Sequence, residues 1–356
     1  MLENYLFQIK IKVVLFIIYF LMIFIPIIKL KSYILNSIKT NNNNMLKEIF
    51  LFKKDVNFYK NNHKLKFNIS MCLNDEGIYP TLISMTSALE NNNNDKNILV
   101  YYLLLSHDFN VTKIEIFESL KTSYEVIINY YIIPNFFKYN RQWRGQSANY
   151  YKLLITLMFP DMDRILYLDG DTLIFKDLTE LFNISFNNNY ILGYPCHTVA
   201  AADIFSANII NYVNVGVLLF NIKQIRKNNL DLDLLSFTMN NNKKSRYPEQ
   251  DTLNYIFNGK IGLLPLKYGI YLYGNIHLAK KYYLKHLRMK VNYTELENAI
   301  LVPSIVHLCC CKPKVWKNGT KHELDYNQVC NKYQKEFYFY AHKTKYYNII
   351  YNKYMK

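Results

Sequence analysis

Arg164-Ile165-Leu166-Tyr167-Leu168-Asp169-Gly170-Asp171 is the stretch that decides the fold of this chain. After Arg164 the run is short, continuous and apolar, the pattern of a strand buried on both faces. Two carboxylates, Asp169 and Asp171, follow at the strand's C-terminal edge. Open α/β sheets bind ligands at that edge. Carboxylates taken out of water must be paired or hold a metal. Asp oxygens suit a hard divalent ion such as Mg2+ or Mn2+. Asp-Gly is also a common turn, so the surrounding chain must decide what the pair is for.

Working outward, Phe67–Leu73, Ile98–Leu105 and Tyr124–Ile133 read as strands. Between them Tyr79–Leu89, with Pro80 in its first turn, and Val111–Leu120 read as helices. Pro is favoured at a helix start because its missing N–H is not needed there. The βαβαβ order predicts parallel strands with helices on both faces of the sheet. Ser147–Phe159 reads as a helix leading into the acidic strand. Tyr190–Tyr194 and Tyr212–Asn221 read as later strands, and Glu249–Phe257 as a short helix. Residues 321–356, rich in Tyr and Lys, form a C-terminal tail expected to be helical.

The chain has 356 residues, of which 51% are hydrophobic, enough for a sizeable core. Its formal charge is +16. The excess is Lys rather than Arg and accompanies heavy use of Asn, Ile, Tyr and Phe, which points to compositional drift. No nucleic-acid motif or Arg-rich stripe accompanies it, so nucleic acid is not an expected partner. The six cysteines, Cys72, Cys196, Cys309, Cys310, Cys311 and Cys330, contain no CxxC pair, and their pairing cannot be deduced.

Val13–Ile28 carries no charge and lies between Lys10 and Lys12 on one side and Lys29 and Lys31 on the other. No small residues suited to cleavage follow it, so residues 1–31 read as a short tail and an uncleaved signal anchor. A membrane partner through residues 13–28 follows from this. So does a single-pass type II placement in the Golgi or ER membrane with a lumenal domain. Five Asn-x-Ser/Thr sequons, at Asn68, Asn110, Asn183, Asn292 and Asn318, are compatible with a lumenal site. Residues 32–66, with the run Asn41–Asn44, read as a stem. The main domain is then expected over residues 67–320.

Further segments flank the acidic pair in fixed order. Asn74-Asp75-Glu76 precedes Tyr79-Pro80-Thr81, and Tyr150-Tyr151-Lys152-Leu153 lies on the helix before the acidic strand. Downstream stand Asn214-Val215-Gly216-Val217, Pro248-Glu249-Gln250-Asp251 and Ile305-Val306-His307-Leu308, the last followed by Lys312-Pro313-Lys314-Val315-Trp316. Taken together over about residues 67–317, they resemble glycosyltransferase family 8. These are retaining UDP-sugar transferases such as glycogenin and bacterial lipopolysaccharide galactosyl- and glucosyltransferases.

The resemblance implies a GT-A type fold, a Rossmann-like mixed α/β sheet flanked by helices. It implies a UDP-sugar donor, Mn2+ or Mg2+, and a glycan, glycolipid or glycoprotein acceptor. Asp169, Asp171 and His307 would be the metal ligands. Asn74, Asp75 and Glu76 would hold uracil and ribose, and Lys152 would reach the diphosphate or the sugar. Asn214 would meet sugar hydroxyls, with Gly170 and Gly216 allowing close backbone approach. Lys314, or Lys312 in its place, would meet the diphosphate. Gln250 would lie across the anomeric carbon from the leaving group, Glu249 would bind sugar hydroxyls and Asp251 would support the site. An amide at Gln250 is no strong base, which fits a front-face mechanism better than a carboxylate nucleophile.

The chain departs from the family pattern at Asn74, Glu249, Cys310 and Val315. A non-catalytic member that binds sugar nucleotide or glycan is therefore the alternative. Two further readings have less behind them. One is a metal-dependent phosphoryl or nucleotidyl transferase, which lacks its glycine loop. The other is a zinc site on Cys309–Cys311, where adjacent residues do not readily share one tetrahedral ion.

Overall fold

The computed structural model describes residues 49–54, 64–92, 96–142, 145–196, 208–240, 247–269, 281, 293–311, 314–317 and 328–355. Ten strands run through them: β1 Phe50–Lys53, β2 Leu65–Leu73, β3 Asn97–Ser106, β4 Val126–Ile133, β5 Arg164–Leu168, β6 Thr172–Ile174, β7 Ile191–Pro195, β8 Val213–Asn221, β9 Ile261–Leu263 and β10 Ile305–His307. Among the described residues the helices of nine residues or more are α1 Ile78–Asn91, α2 Leu230–Asn240, α3 Pro248–Ile256, α4 Tyr293–Leu301, α5 Gln328–His342 and α6 Tyr347–Met355.

Eight strands form one mixed sheet in the order β1-β4-β3-β2-β5-β8-β7-β9. β2 runs parallel to β3 and to β5, and β3 parallel to β4. Every residue of β3 is buried, as expected of a strand covered on both faces. β5 then meets β8 antiparallel, from Arg164 opposite Asn221 to Leu168 opposite Val217. That pairing sets the start of β8 against the end of β5. The Asp169 N–H carries the ladder one step further by donating to the Gly216 carbonyl at 2.8 Å.

A second sheet holds β6 and β10, antiparallel, with His307 opposite Thr172. The Leu308 N–H donates to the Asp171 carbonyl at 2.8 Å. The acidic turn joining β5 to β6 is therefore gripped from both sides, by β8 and by β10. α1 packs beneath it, fully buried from Thr81 to Leu89.

The buried strand at 164–168 has the bounds read from its sequence. The segment 147–159 does not form one α-helix. It is a 3-10 stretch, Ala148–Leu154, followed by one α turn, Ile155–Met158. Tyr150 through Leu154 are all buried, so no solvent face imposes a period of 3.6. Val111–Leu120 is likewise split into 3-10 and α pieces.

Inside the stretch read as a stem, Phe50–Lys53 adds an antiparallel edge strand to β4. Beyond residue 320, α5 and α6 bring Tyr333, Phe337, Tyr340 and Ile350 into the main core. The signal-anchor reading and the Golgi or ER type II placement are corrected. Among the described residues no helix is long and apolar enough to cross a membrane. Residues 13–28, on which that reading rested, lie outside the described residues.

Candidate active site

Asp169 and Asp171 sit where β5 turns into β6. Gly170 between them meets α1 rather than open space: a Cβ there would lie 2.3 Å from Thr81 Oγ1. The turn is held by Thr172, whose hydroxyl donates to the Asp169 carbonyl at 2.9 Å and lies 2.8 Å from Ser84 Oγ.

Asp169 Oδ1 accepts from the Tyr167 hydroxyl at 2.6 Å and from Lys152 Nζ at 3.3 Å. Lys152 also donates to the Val215 carbonyl at 3.3 Å, and its ammonium stands 4.5 Å from the Tyr167 ring centre. Its side chain is 1% exposed. Burial opposes its charge, but Asp169 and Glu249 outweigh burial and hold its pKa above the ordinary value. Cys72, at the end of β2, feels the same group. Burial pushes its thiol up to about 12 despite Lys152, so it stays neutral.

Asp171 is bracketed by two cations. Its Oδ2 accepts from Lys314 Nζ at 2.6 Å, and its Oδ1 lies 3.0 Å from His307 Nε2. Burial would raise its pKa, yet Lys314 and His307 hold it far below the carboxylate range. His307 Nε2 also lies 3.5 Å from Asp169 Oδ2. Burial opposes an imidazolium at His307, while Cys309 and Asp171 favour it and hold its pKa well above the usual value. Tyr194 Oη stands 2.7 Å and Asn214 Oδ1 3.2 Å from the other ring nitrogen, Nδ1.

One ligand atom each from Asp169, Asp171 and His307 lies within 4.8 Å of the others. Two carboxylate oxygens and an imidazole nitrogen form a donor set suited to Mn2+ or Mg2+. Gly216 borders that space. A Cβ there would be 2.0 Å from His307 Cε1 and 2.7 Å from Asp169 Oδ2, so only glycine lets the three groups converge.

α3 supplies the next residues. Pro248 opens it and Asn254 docks it onto β8, accepting from Val213 N–H at 2.7 Å and donating to the Val213 carbonyl at 2.9 Å. Asp251 is wholly buried and accepts from the Tyr212 hydroxyl and from its own helix start, Tyr247 N–H, at 3.0 Å. Gln250 Nε2 donates to Tyr212 Oη at 3.0 Å. Glu249 Oε2 is buried with no hydrogen-bond partner. Burial raises the Glu249 pKa and Lys152 opposes the rise. A buried acid oxygen without a protein partner is where a ligand's hydroxyl is expected.

The turn after β2 lies at the same sheet edge. Asn74 Oδ1 accepts from Gly77 N–H at 3.2 Å and closes the turn. Asp75 pairs with Lys113 at 2.7 Å and accepts from Asn110 N–H at 3.0 Å, so it also ties two loops together. Glu76 accepts from Gln146 at 3.4 Å. Lys312, the competitor of Lys314, lies outside the described residues.

The loop after His307 carries a bond not foreseen from the sequence. Cys311, four residues after His307, is joined to Cys330 on α5. α5 also reaches the end of that loop, where the Tyr338 hydroxyl donates to the Trp316 carbonyl at 2.9 Å. With Cys311 in a disulfide, three adjacent thiolates are not available to zinc.

Residues 68–319 match the model of Glycosyl transferase family 8. The chain belongs to that family. It is 31% identical over 220 residues to a lipopolysaccharide 1,2-glucosyltransferase of Escherichia coli, covering 57% of this chain and 62% of that relative. It is 24% identical over 204 residues to the probable galacturonosyltransferase-like 9 of Arabidopsis thaliana, covering 51% of this chain and 52% of that one. The chain thus spans less than two thirds of the length of these curated relatives.

Among solved structures, the galactosyltransferase LgtC in complex with donor and acceptor sugar analogs superposes with a TM-score of 0.64 at 18% identity, covering 78% of this chain and 96% of that one. The bifunctional glycosyltransferase WbbM superposes with a TM-score of 0.63 at 16% identity, covering 82% of this chain and 52% of that one. This family 8 chain therefore has a GT-A-like glycosyltransferase fold, a mixed α/β sheet with flanking helices.

Proposed function

We propose that this family 8 chain transfers a hexosyl group, glucosyl or galactosyl, from a UDP-sugar to a glycan, glycolipid or glycoprotein acceptor, with retention at the anomeric carbon. The observation that carries the reading is the convergence of Asp169, Asp171 and His307 within 4.8 Å beside buried Lys152 and the unpartnered Glu249 Oε2. A carboxylate pair that only closed a turn would not need an imidazole brought from 136 residues away.

The donor set and the space kept open by Gly216 fit Mn2+ or Mg2+ on Asp169, Asp171 and His307. A metal bound there supplies Lewis-acid stabilisation of a departing diphosphate. The chain's own cations act on the same charge: Lys314 and Lys152 are the ammonium groups that touch the two aspartates. Glu249 would orient the donor sugar through its hydroxyls. Gln250 would present its amide to the sugar, steadied by Tyr212. Asp251 acts behind it, fixing Tyr212. No strong base stands at Gln250, which supports a front-face course in which the leaving phosphate takes the acceptor proton. Asn74, Asp75 and Glu76 would hold the uridine at the edge of β2.

A panel of UDP-sugars with Mn2+, followed by UDP release, tests this directly. Turnover or hydrolysis of at least one donor is expected. UDP binding without turnover of any donor would select the non-catalytic alternative. Release of pyrophosphate instead would select a nucleotidyl transferase.

A further inference from the structure

We infer that Tyr194 and Asn214 are positioning residues for the metal site, holding the Nδ1 hydrogen of His307 so that Nε2 is the nitrogen left to a metal at Asp169 and Asp171. The inference rests on the proposed metal role of those three residues.

Gly216 N–H donates to the Asn214 side chain at 2.8 Å, so the Asn214 atom there is its acceptor oxygen, Oδ1. That oxygen also stands 3.2 Å from His307 Nδ1. Two acceptors gain nothing by facing each other, so Nδ1 carries the hydrogen. Tyr194 Oη, 2.7 Å from the same nitrogen, then accepts from it and keeps its own hydrogen for another partner. The carboxylates facing Nε2 favour a hydrogen there as well, so the metal-free ring carries both; with the Nδ1 hydrogen held by its acceptors, the one a metal would displace is on Nε2. That nitrogen lies 3.0 Å from Asp171 Oδ1 and 3.5 Å from Asp169 Oδ2.

The surroundings leave the ring little freedom. His307 is 2% exposed and Tyr194 is fully buried. The two rings meet edge to face, 6.1 Å between centres at 85°. Gly269 makes room for Tyr194: a Cβ there would lie 2.2 Å from its ring. Gly216 closes the other side of His307. The Asn-x-Gly pair of β8 thus has one task at the metal's third ligand, with Gly216 giving space and Asn214 giving direction. A core tyrosine needs some partner for its hydroxyl. Here the partner is the remote nitrogen of a metal ligand, an arrangement that fixes ring orientation and raises ligand basicity.

The test is Mn2+ titration by electron paramagnetic resonance on wild type, Tyr194→Phe, Asn214→Asp and His307→Ala, without donor turnover. Tyr194→Phe is expected to weaken Mn2+ binding about 10- to 100-fold, as loss of such outer partners does. Asn214→Asp keeps an acceptor for both Gly216 N–H and Nδ1–H, and is expected to bind Mn2+ at least as tightly as wild type. Long-range 1H–15N spectra of the wild type with Mg2+ should show the His307 hydrogen on Nδ1. This reading does not depend on any variant folding. Wild-type affinity in Tyr194→Phe, or a hydrogen on Nε2, overturns the inference while the metal site stands. Unchanged Mn2+ affinity in His307→Ala overturns the metal reading, and the inference with it.

Discussion

Lys314 Nζ and His307 Nε2 flank one carboxylate, at 2.6 Å and 3.0 Å from the two oxygens of Asp171. On the proposed reading, Lys314 would meet the diphosphate of a donor held at Asp171. Lys314→Met should lower UDP affinity about tenfold, the worth of one charge-assisted hydrogen bond. It should not weaken Mn2+ binding in the absence of nucleotide, because it removes a cation that competes with the metal for Asp171. Calorimetric titration of UDP and Mn2+ separates the two effects. Unchanged UDP affinity would take Lys314 out of the donor site.

A metal held by His307 would compete with a proton for Nε2. The His307 pKa is held well above its ordinary value by Cys309 and Asp171 against the opposing effect of burial. A raised histidine pKa means that the imidazolium–Asp171 pairing stabilises the fold fully below the unfolded value. That contribution is lost as pH rises through the folded one. Asp171 itself titrates in acid, outside this window, because its pKa is depressed. The rise in melting temperature given by Mn2+ should therefore grow as pH is raised above the ordinary histidine value of about 6.5. Differential scanning fluorimetry across that range checks it, and a flat profile would contradict the pairing.

Glu249 illustrates a site held against the interest of stability. Its Oε2 is buried without a partner, and burial raises its pKa. Glu249→Gln removes a buried charge that Lys152 and the residue's own backbone N–H only partly offset. The urea midpoint should hold or rise, while UDP release from the donor falls, as expected when strained polar groups serve a ligand. A loss of more than about 1 kcal/mol in stability would show that the carboxylate is structural.

The Cys311–Cys330 bond closes 19 residues and ties the loop carrying His307 to α5. Cys330→Ser should cost about 3 kcal/mol in urea unfolding, the loop-closure entropy for that length. Weaker Mn2+ binding in the folded variant is expected too, since His307 and Leu308, which donates to the Asp171 carbonyl, lie at the start of the same loop.

How much of this could be read in advance follows from the physics of each element. β5 kept its bounds because a short apolar run between polar neighbours has one way to be buried. Asp169, Asp171 and His307, which converge within 4.8 Å, are legible because the carboxylates follow a buried strand and the imidazole falls where the family resemblance places it. The segment 147–159 was misread because its side chains are buried all round and carry no helical period. Phe50–Lys53 was hidden among Lys and Asn, where an edge strand leaves little pattern. The hydroxyls of Tyr167, Tyr194 and Tyr212, bonded to Asp169, His307 and Asp251, carry no mark among 33 tyrosines. Tyr212 had a signal in hindsight: it shares a strand face with Asn214 and Gly216. The disulfide was one of many pairings open to six cysteines.

Asp171 carries the central claim, since it joins the metal triad to Lys314 and to the β6–β10 sheet. Mn2+-dependent UDP release should be measured for wild type and Asp171→Asn with whichever UDP-hexose the wild type turns over. Asparagine keeps the shape but loses the charge, so release should fall by about three orders of magnitude or more while the fold stays intact. Release at the wild-type rate from a folded Asp171→Asn protein would contradict the account.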